Sequence, residues 1–114
     1  MTESSAQDLL DVEREKTMAR IAALTAEFDD IVAATADANV DDEHDPEGAT
    51  IAFERARVST LLAQGRAYLE ELALAHHRVD DGTYGTCGHC GSAIPPERLR
   101  ARPVARTCIQ CLPP

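Results

Sequence analysis

The sequence predicts a mainly α protein: a long antiparallel helical hairpin, coiled-coil in character, followed by a small module organised by four cysteines. Three observations carry that expectation. Two apolar seams with spacings alternating between three and four residues run from Leu10 to Ile31 and from Ile51 to Val79. The stretch from Asn39 to His44 separates them. All four cysteines, with five of the six prolines, lie beyond Gly82.

The first helix has a start signal at Ser5-Ala6-Gln7-Asp8, which has capping-box spacing with Asp in place of Glu or Gln. Its seam reads Leu10, Arg14, Thr17, Ile21, Leu24, Phe28 and Ile31, weakened early by the two polar members. Asp45-Pro46-Glu47 then supplies an N-cap oxygen, a proline at the first helical position and an acidic first turn. The second seam reads Ile51, Val58, Leu61, Gly65, Tyr68, Leu72, Ala75 and Val79, and Gly82 fits the stop. Folding at a turn near residue 43 sets Phe28 against Val58, Leu24 against Leu62, Ile21 against Gly65 and Met18 against Tyr68. Arms of this length would extend on the order of 45 Å. The alternatives are a three-helix bundle with helix 1 broken near Thr17, or an intermolecular coiled coil. A hairpin that buries its own seam is expected to be monomeric.

Charge divides the 114 residues in two. Residues 1–83 carry 7 basic and 19 acidic side chains (−12); residues 84–114 carry 4 basic and 1 acidic (+3). The domain boundary is accordingly expected between a hairpin over 1–83, with an acidic tip near 39–48, and a cysteine module over 84–114. A net charge of −9 argues against coating DNA or an anionic membrane. No apolar run approaches the ~18 residues of a bilayer span. The N-terminal residues lack a basic and apolar leader pattern, so a cytoplasmic location is expected.

Cys87-Gly88-His89-Cys90 and Cys108-Ile109-Gln110-Cys111 form two C-x-x-C pairs separated by 17 residues. Pairs at this spacing bring four thiolates to one tetrahedral zinc ion at ~2.3 Å. Gly88 and Gly91 are expected to give the first knuckle its positive φ values. Four sulfurs fill the shell, so Cys87, Cys90, Cys108 and Cys111 are read as ligands of one structural zinc. His89 is expected to point away from it, and His76 and His77 to be solvated or packed. A short helix started by Pro95-Pro96 should lie between the knuckles.

These features together resemble the DksA/TraR family of bacterial transcription regulators. The resemblance rests on Asp45-Pro46, on Tyr84-Gly85-x-Cys87-x-x-Cys90-Gly91, and on Arg98-Leu99-x-Ala101-Arg102-Pro103 leading to Cys108-x-x-Cys111. It implies a protein that binds RNA polymerase directly, inserting its hairpin into the secondary channel while the zinc module docks at the rim. It places Asp45, with Asp42 and Glu47, at the partner-binding tip, and Arg98 and Arg102 on the partner-binding face of the zinc module. The tip departs from the family's D-x-x-D-x-A pattern, reading Asp45-Pro46-Glu47-Gly48-Ala49-Thr50. Some members bind the alarmone ppGpp through basic residues. The matching positions here are Arg102, Glu71 and Leu112, which argues against ppGpp dependence.

Two other functional classes remain as contrasts. A zinc-stabilised protein–protein adaptor would use Arg98, Arg100, Arg102 and Arg106 on a different partner. An enzyme is disfavoured by the closed zinc shell and by the lack of a nucleophile–base constellation or a phosphate loop. Sequence-specific DNA binding is disfavoured as well, because the long helices are acidic.

Overall fold

The structure is a computed structural model that describes residues 2–37 and 46–111, the side chains of residues 36, 37, 46 and 47 excepted. Helix α1 runs over Glu3–Asp37, α2 over Pro46–Asp81 and α3 over Pro96–Ala101, with a 3-10 turn at Ile109–Cys111. The two long helices form a hairpin within one chain, as the seams predict. Helix α1 continues unbroken through Thr17, which removes the three-helix alternative.

The helix ends show which local signals operate. Helix α1 starts earlier than the Ser5 cap predicts. The N–H of Ser5 donates to Thr2 Oγ1 at 3.1 Å, so Thr2 is the capping residue and Ser5 lies in the first turn. Two hydroxyl residues within one turn compete for that role, and the upstream one wins. Helix α2 begins at Pro46 as expected. Its other end is a Schellman motif around Gly82, whose φ is 81°. The N–H of Thr83 reaches the carbonyl of Arg78 at 2.9 Å, and that of Gly82 reaches Val79 at 3.3 Å.

The chain divides into two compact units, each containing a stretch of both long helices. The unit of residues 17–67 is built on buried Leu24, Val58 and Leu62, with Ile21, Phe28, Ile31 and Leu61 packed against them. Leu62 is the buried member where the sequence placed Leu61, which is only half-buried. The predicted approach of Ile21 to Gly65 is present: a Cβ on Gly65 would lie 2.9 Å from Ile21 Cγ1. Arg57 bridges the helices to Glu27 at 2.9 Å and also meets Glu54 at 3.2 Å. All three side chains are about half exposed, so these pairs contribute at most about 1 kcal/mol. Shape therefore matters more than charge here. Gly65→Leu should lower the free energy of urea unfolding by about 1–3 kcal/mol through overpacking. Adding Ile21→Ala should recover most of that loss; an unchanged deficit would mean the helices do not meet at this point.

The second unit comprises residues 1–16 and 68–114. Ala6, Leu10, Leu72, Ala75 and Val79 form its helical core, flanked by Tyr68, Leu69, Tyr84 and Val104. Arg14, expected on the seam, is exposed; Glu13 is half-buried instead. The reason is tertiary, since the Tyr68 hydroxyl donates to Glu13 Oε2 at 3.2 Å and needs an acceptor there. Met18, expected against Tyr68, is 46% exposed and does not join a core. Burial, reinforced by the Glu13 carboxylate, pushes the Tyr68 phenol up to about 12. Its folded pKa thus exceeds the unfolded value of about 10. The stabilisation is intact below pH ~10 and is lost as pH rises toward ~12. Melting temperature followed from pH ~9 to ~12 should fall less steeply for Tyr68→Phe than for the wild type. Parallel curves would show that the phenol's proton is not linked to folding.

Candidate metal centre

The end of α2 leads straight into the cysteine module. After the Schellman turn, Gly85 takes φ 82° and its carbonyl receives the N–H of Ile94 at 2.7 Å. The first knuckle closes through Gly91, with φ 77°, whose N–H donates to the carbonyl of Cys87 at 2.9 Å. Gly88 does not adopt the positive φ expected of it. Its N–H instead donates to the Arg106 carbonyl at 2.9 Å, which ties the first knuckle to the second. Pro95 is extended (φ −57°, ψ 139°) and Pro96 starts α3, as the sequence predicts. Helix α3 buries Leu99 beside Ile94, Ala105, Cys87 and Cys108. Two further bonds fasten the module: the Tyr84 hydroxyl donates to the Pro103 carbonyl at 2.8 Å, and Arg98 Nε to the Thr107 carbonyl at 3.0 Å.

These contacts bring all four cysteines together. Their sulfurs lie within 4.8 Å of one another, and Cys90 Sγ is 3.7 Å from Cys108 Sγ. Tetrahedral bonds of ~2.3 Å to zinc would set sulfurs about 3.8 Å apart, so the cluster has the right size. Its chemistry fits too. Backbone N–H groups, first that of Cys90 and then that of Cys108, lower the Cys87 thiol to about 6. Hydrogen bonding with Cys108 pushes Cys111 up to about 12, because closely spaced sulfurs cannot all carry negative charge by themselves. A dication supplies the compensating charge, and four thiolates complete its shell. Cys87, Cys90, Cys108 and Cys111 therefore fit one structural zinc ion, with no position left for water or substrate. His89 is exposed and stands outside the cluster. His76 Nε2 lies 3.4 Å from Asp11 Oδ1, and His77 is exposed.

Of the residues expected to meet a partner, Arg98 and Arg102 line one cavity of about 220 Å³ with Glu71, Arg106 and Thr107. Asp42 and Asp45 lie outside the described residues. Glu47 falls in the first turn of α2, its side chain outside them. Sequence reading passed over Leu74 and Arg78, which adjoin the arginine face with Glu71 and Arg106. The signal was available, because Glu71, Leu74 and Arg78 are spaced three and four apart on one face of α2.

Comparison with known proteins agrees with this geometry. Residues 82–113 match the prokaryotic dksA/traR C4-type zinc finger. General stress protein 16O of Bacillus subtilis is 38% identical over 69 residues, covering 60% of this chain and 42% of that protein. YteA of the same organism, an uncharacterized protein, is 36% identical over 69 residues, covering 60% and 29%. An uncharacterized Aquifex aeolicus protein is 44% identical over 45 residues, covering 40% and 31%. The matched region thus spans less than half the length of each curated relative. Among solved structures, transcription factor DksA2 from Pseudomonas aeruginosa matches with a TM-score of 0.79 and 27% identity, over 95% of this chain and 78% of that one. No helix among the described residues is long and apolar enough to cross a membrane. Residues 82–113 thus match a dksA/traR C4-type zinc finger, and the helical hairpin that precedes them is similar in fold to DksA2.

Proposed function

We propose that this protein regulates transcription by binding bacterial RNA polymerase directly, carrying its hairpin end into the secondary channel. The likeness to a transcription factor over nearly the whole chain carries the reading. In this reading Asp45, with Asp42 and Glu47, approaches the catalytic centre, and the zinc module docks at the channel rim through Arg98 and Arg102. Net charge supports it: a hairpin segment of −12 suits a basic-lined channel and is repelled by DNA. The zinc shell is closed and its role structural, so the protein acts as a regulator and leaves catalysis to the polymerase. It works as a monomer in the cytoplasm, and independently of ppGpp, given Glu71 and Leu112 at positions that would need to be basic.

The test is binding of the zinc-loaded protein to polymerase core enzyme with a photo-crosslinker at residue 45. A crosslink to the polymerase's catalytic region is the expected result. Binding without that crosslink overturns the channel mode. Absence of binding, together with recovery of a different protein partner, supports the adaptor reading instead.

A further inference from the structure

One contact between α1 and α2, away from the cysteines, is long for the hydrogen-bonded ion pair it resembles. His76 Nε2 lies 3.4 Å from Asp11 Oδ1. A charged N–H donating to a carboxylate closes to about 2.7–2.9 Å. A metal ion accounts better for the spacing. Zinc bonds of ~2.0–2.1 Å to nitrogen and ~2.0–2.2 Å to oxygen, at a tetrahedral angle, set the two ligand atoms about 3.4 Å apart. The packed core holds that separation. Asp11 directly follows buried Leu10 on α1, and His76 directly follows buried Ala75 on α2, within one compact unit.

We propose that His76 and Asp11 form a second metal site, open to solvent, for a divalent transition ion such as zinc. Imidazole with a carboxylate suits zinc and its first-row neighbours, whereas magnesium and calcium prefer shells made of oxygen. The side chains are 30% and 64% exposed, so water can fill the remaining positions. Asp80, exposed and four residues after His76 on the same helix face, adds negative charge that favours a cation. Among the described residues only the cysteines bring three or more ligand atoms together, so this site has two protein ligands. It is accordingly weaker than the four-thiolate site and exchanges its metal. Desalting empties it and leaves the tightly held zinc in place. Because its ligands come from two helices, an ion bound here fastens α1 to α2 and stabilises only the folded chain. The inference does not depend on the polymerase reading.

The test uses the full chain carrying one zinc. Calorimetric titration with further Zn²⁺ should show a second, weaker equivalent that the same concentration of Mg²⁺ does not displace. His76→Ala should weaken it by at least about tenfold, since a ligand counts for no less than an outer-shell partner. Asp11→Asn should also weaken it, and His77→Ala, which alters the exposed neighbour, should leave it unchanged. Saturating Zn²⁺ should raise the melting temperature of the wild type by a few degrees and that of His76→Ala hardly at all. Co²⁺ added to the zinc-loaded chain should broaden amide signals around both Asp11 and His76. No second equivalent, or one that survives His76→Ala, would overturn the proposal. So would loss of binding in His77→Ala, or broadening centred on the cysteine module. Binding without a rise in melting temperature would overturn the bridge between the helices.

Discussion

Removing zinc should collapse residues 84–111 while leaving most of the helical signal in place. The module's buried cluster is Cys87, Ile94, Leu99, Ala105 and Cys108, so two of its five members are themselves metal ligands. Ile94, Leu99 and Ala105 alone cannot offset the conformational entropy of more than two dozen ordered residues, each costing about 1–2 kcal/mol. A structural zinc site adds its binding free energy directly to folding, so its removal should be decisive for a segment with so small an apolar core. Helices α1 and α2 contain 35 and 36 residues, against 6 in α3, so the far-ultraviolet signal should barely change. The change should appear in NMR as loss of dispersed amides from Gly85 onward.

The loss should also spread. Tyr84 and Val104 pack against the Leu10–Leu72 core, so the helix ends in that unit should loosen and exchange amide protons faster. Residues 17–67 have their own core and should be unaffected. Cys108→Ala is the sharper version, because it removes a buried ligand without a chelator. Expected values are one zinc per wild-type chain by metal analysis and a large loss of affinity in the variant. A Cys108→Ala protein that keeps one tightly held zinc and a native spectrum would refute the four-cysteine site.

Where the sequence proved legible, the chemistry was local. Pro46 and Gly82 mark the ends of α2 because their backbone preferences act without help from distant residues. The zinc ligands were legible because C-x-x-C spacing is itself the geometry of a knuckle. Ile21 opposite Gly65 followed from counting across the turn, since a residue without a side chain must face something large. Errors arose where a distant partner decides. Glu13 replaces Arg14 on the seam because of Tyr68, 55 positions away. Gly88 has an ordinary φ because its place is set by a bond to Arg106, and Gly85 takes a positive φ instead. The face formed by Glu71, Leu74 and Arg78 beside the module's arginines is likewise tertiary, assembled from α2 and a segment over twenty residues further along.

The tip is where charge and capping can be separated. Asp45 directly precedes Pro46, the first residue of α2, so by sequence it is the expected cap of that helix, and the proposed function also has it act on a partner. Asp45→Asn keeps a capping oxygen and removes the charge; Asp45→Ala removes both. If the charge acts near the polymerase's catalytic centre, both variants should abolish the effect on initiation measured by transcription in vitro. A single charge presented to a low-dielectric site is worth several kcal/mol there, enough for a loss of a hundredfold or more. If polymerase affinity is spread over the long helices and the zinc module, as the proposed function has it, it should change by only about fivefold or less. Only Ala should in addition lower stability, by about 1 kcal/mol, through loss of the cap. Regulation that survives in Asp45→Asn and fails in Asp45→Ala would reduce Asp45 to a helix cap. Gly48→Asp with Thr50→Ala supplies the complement: by restoring the family pattern around Asp45, it should strengthen regulation without tightening binding in proportion.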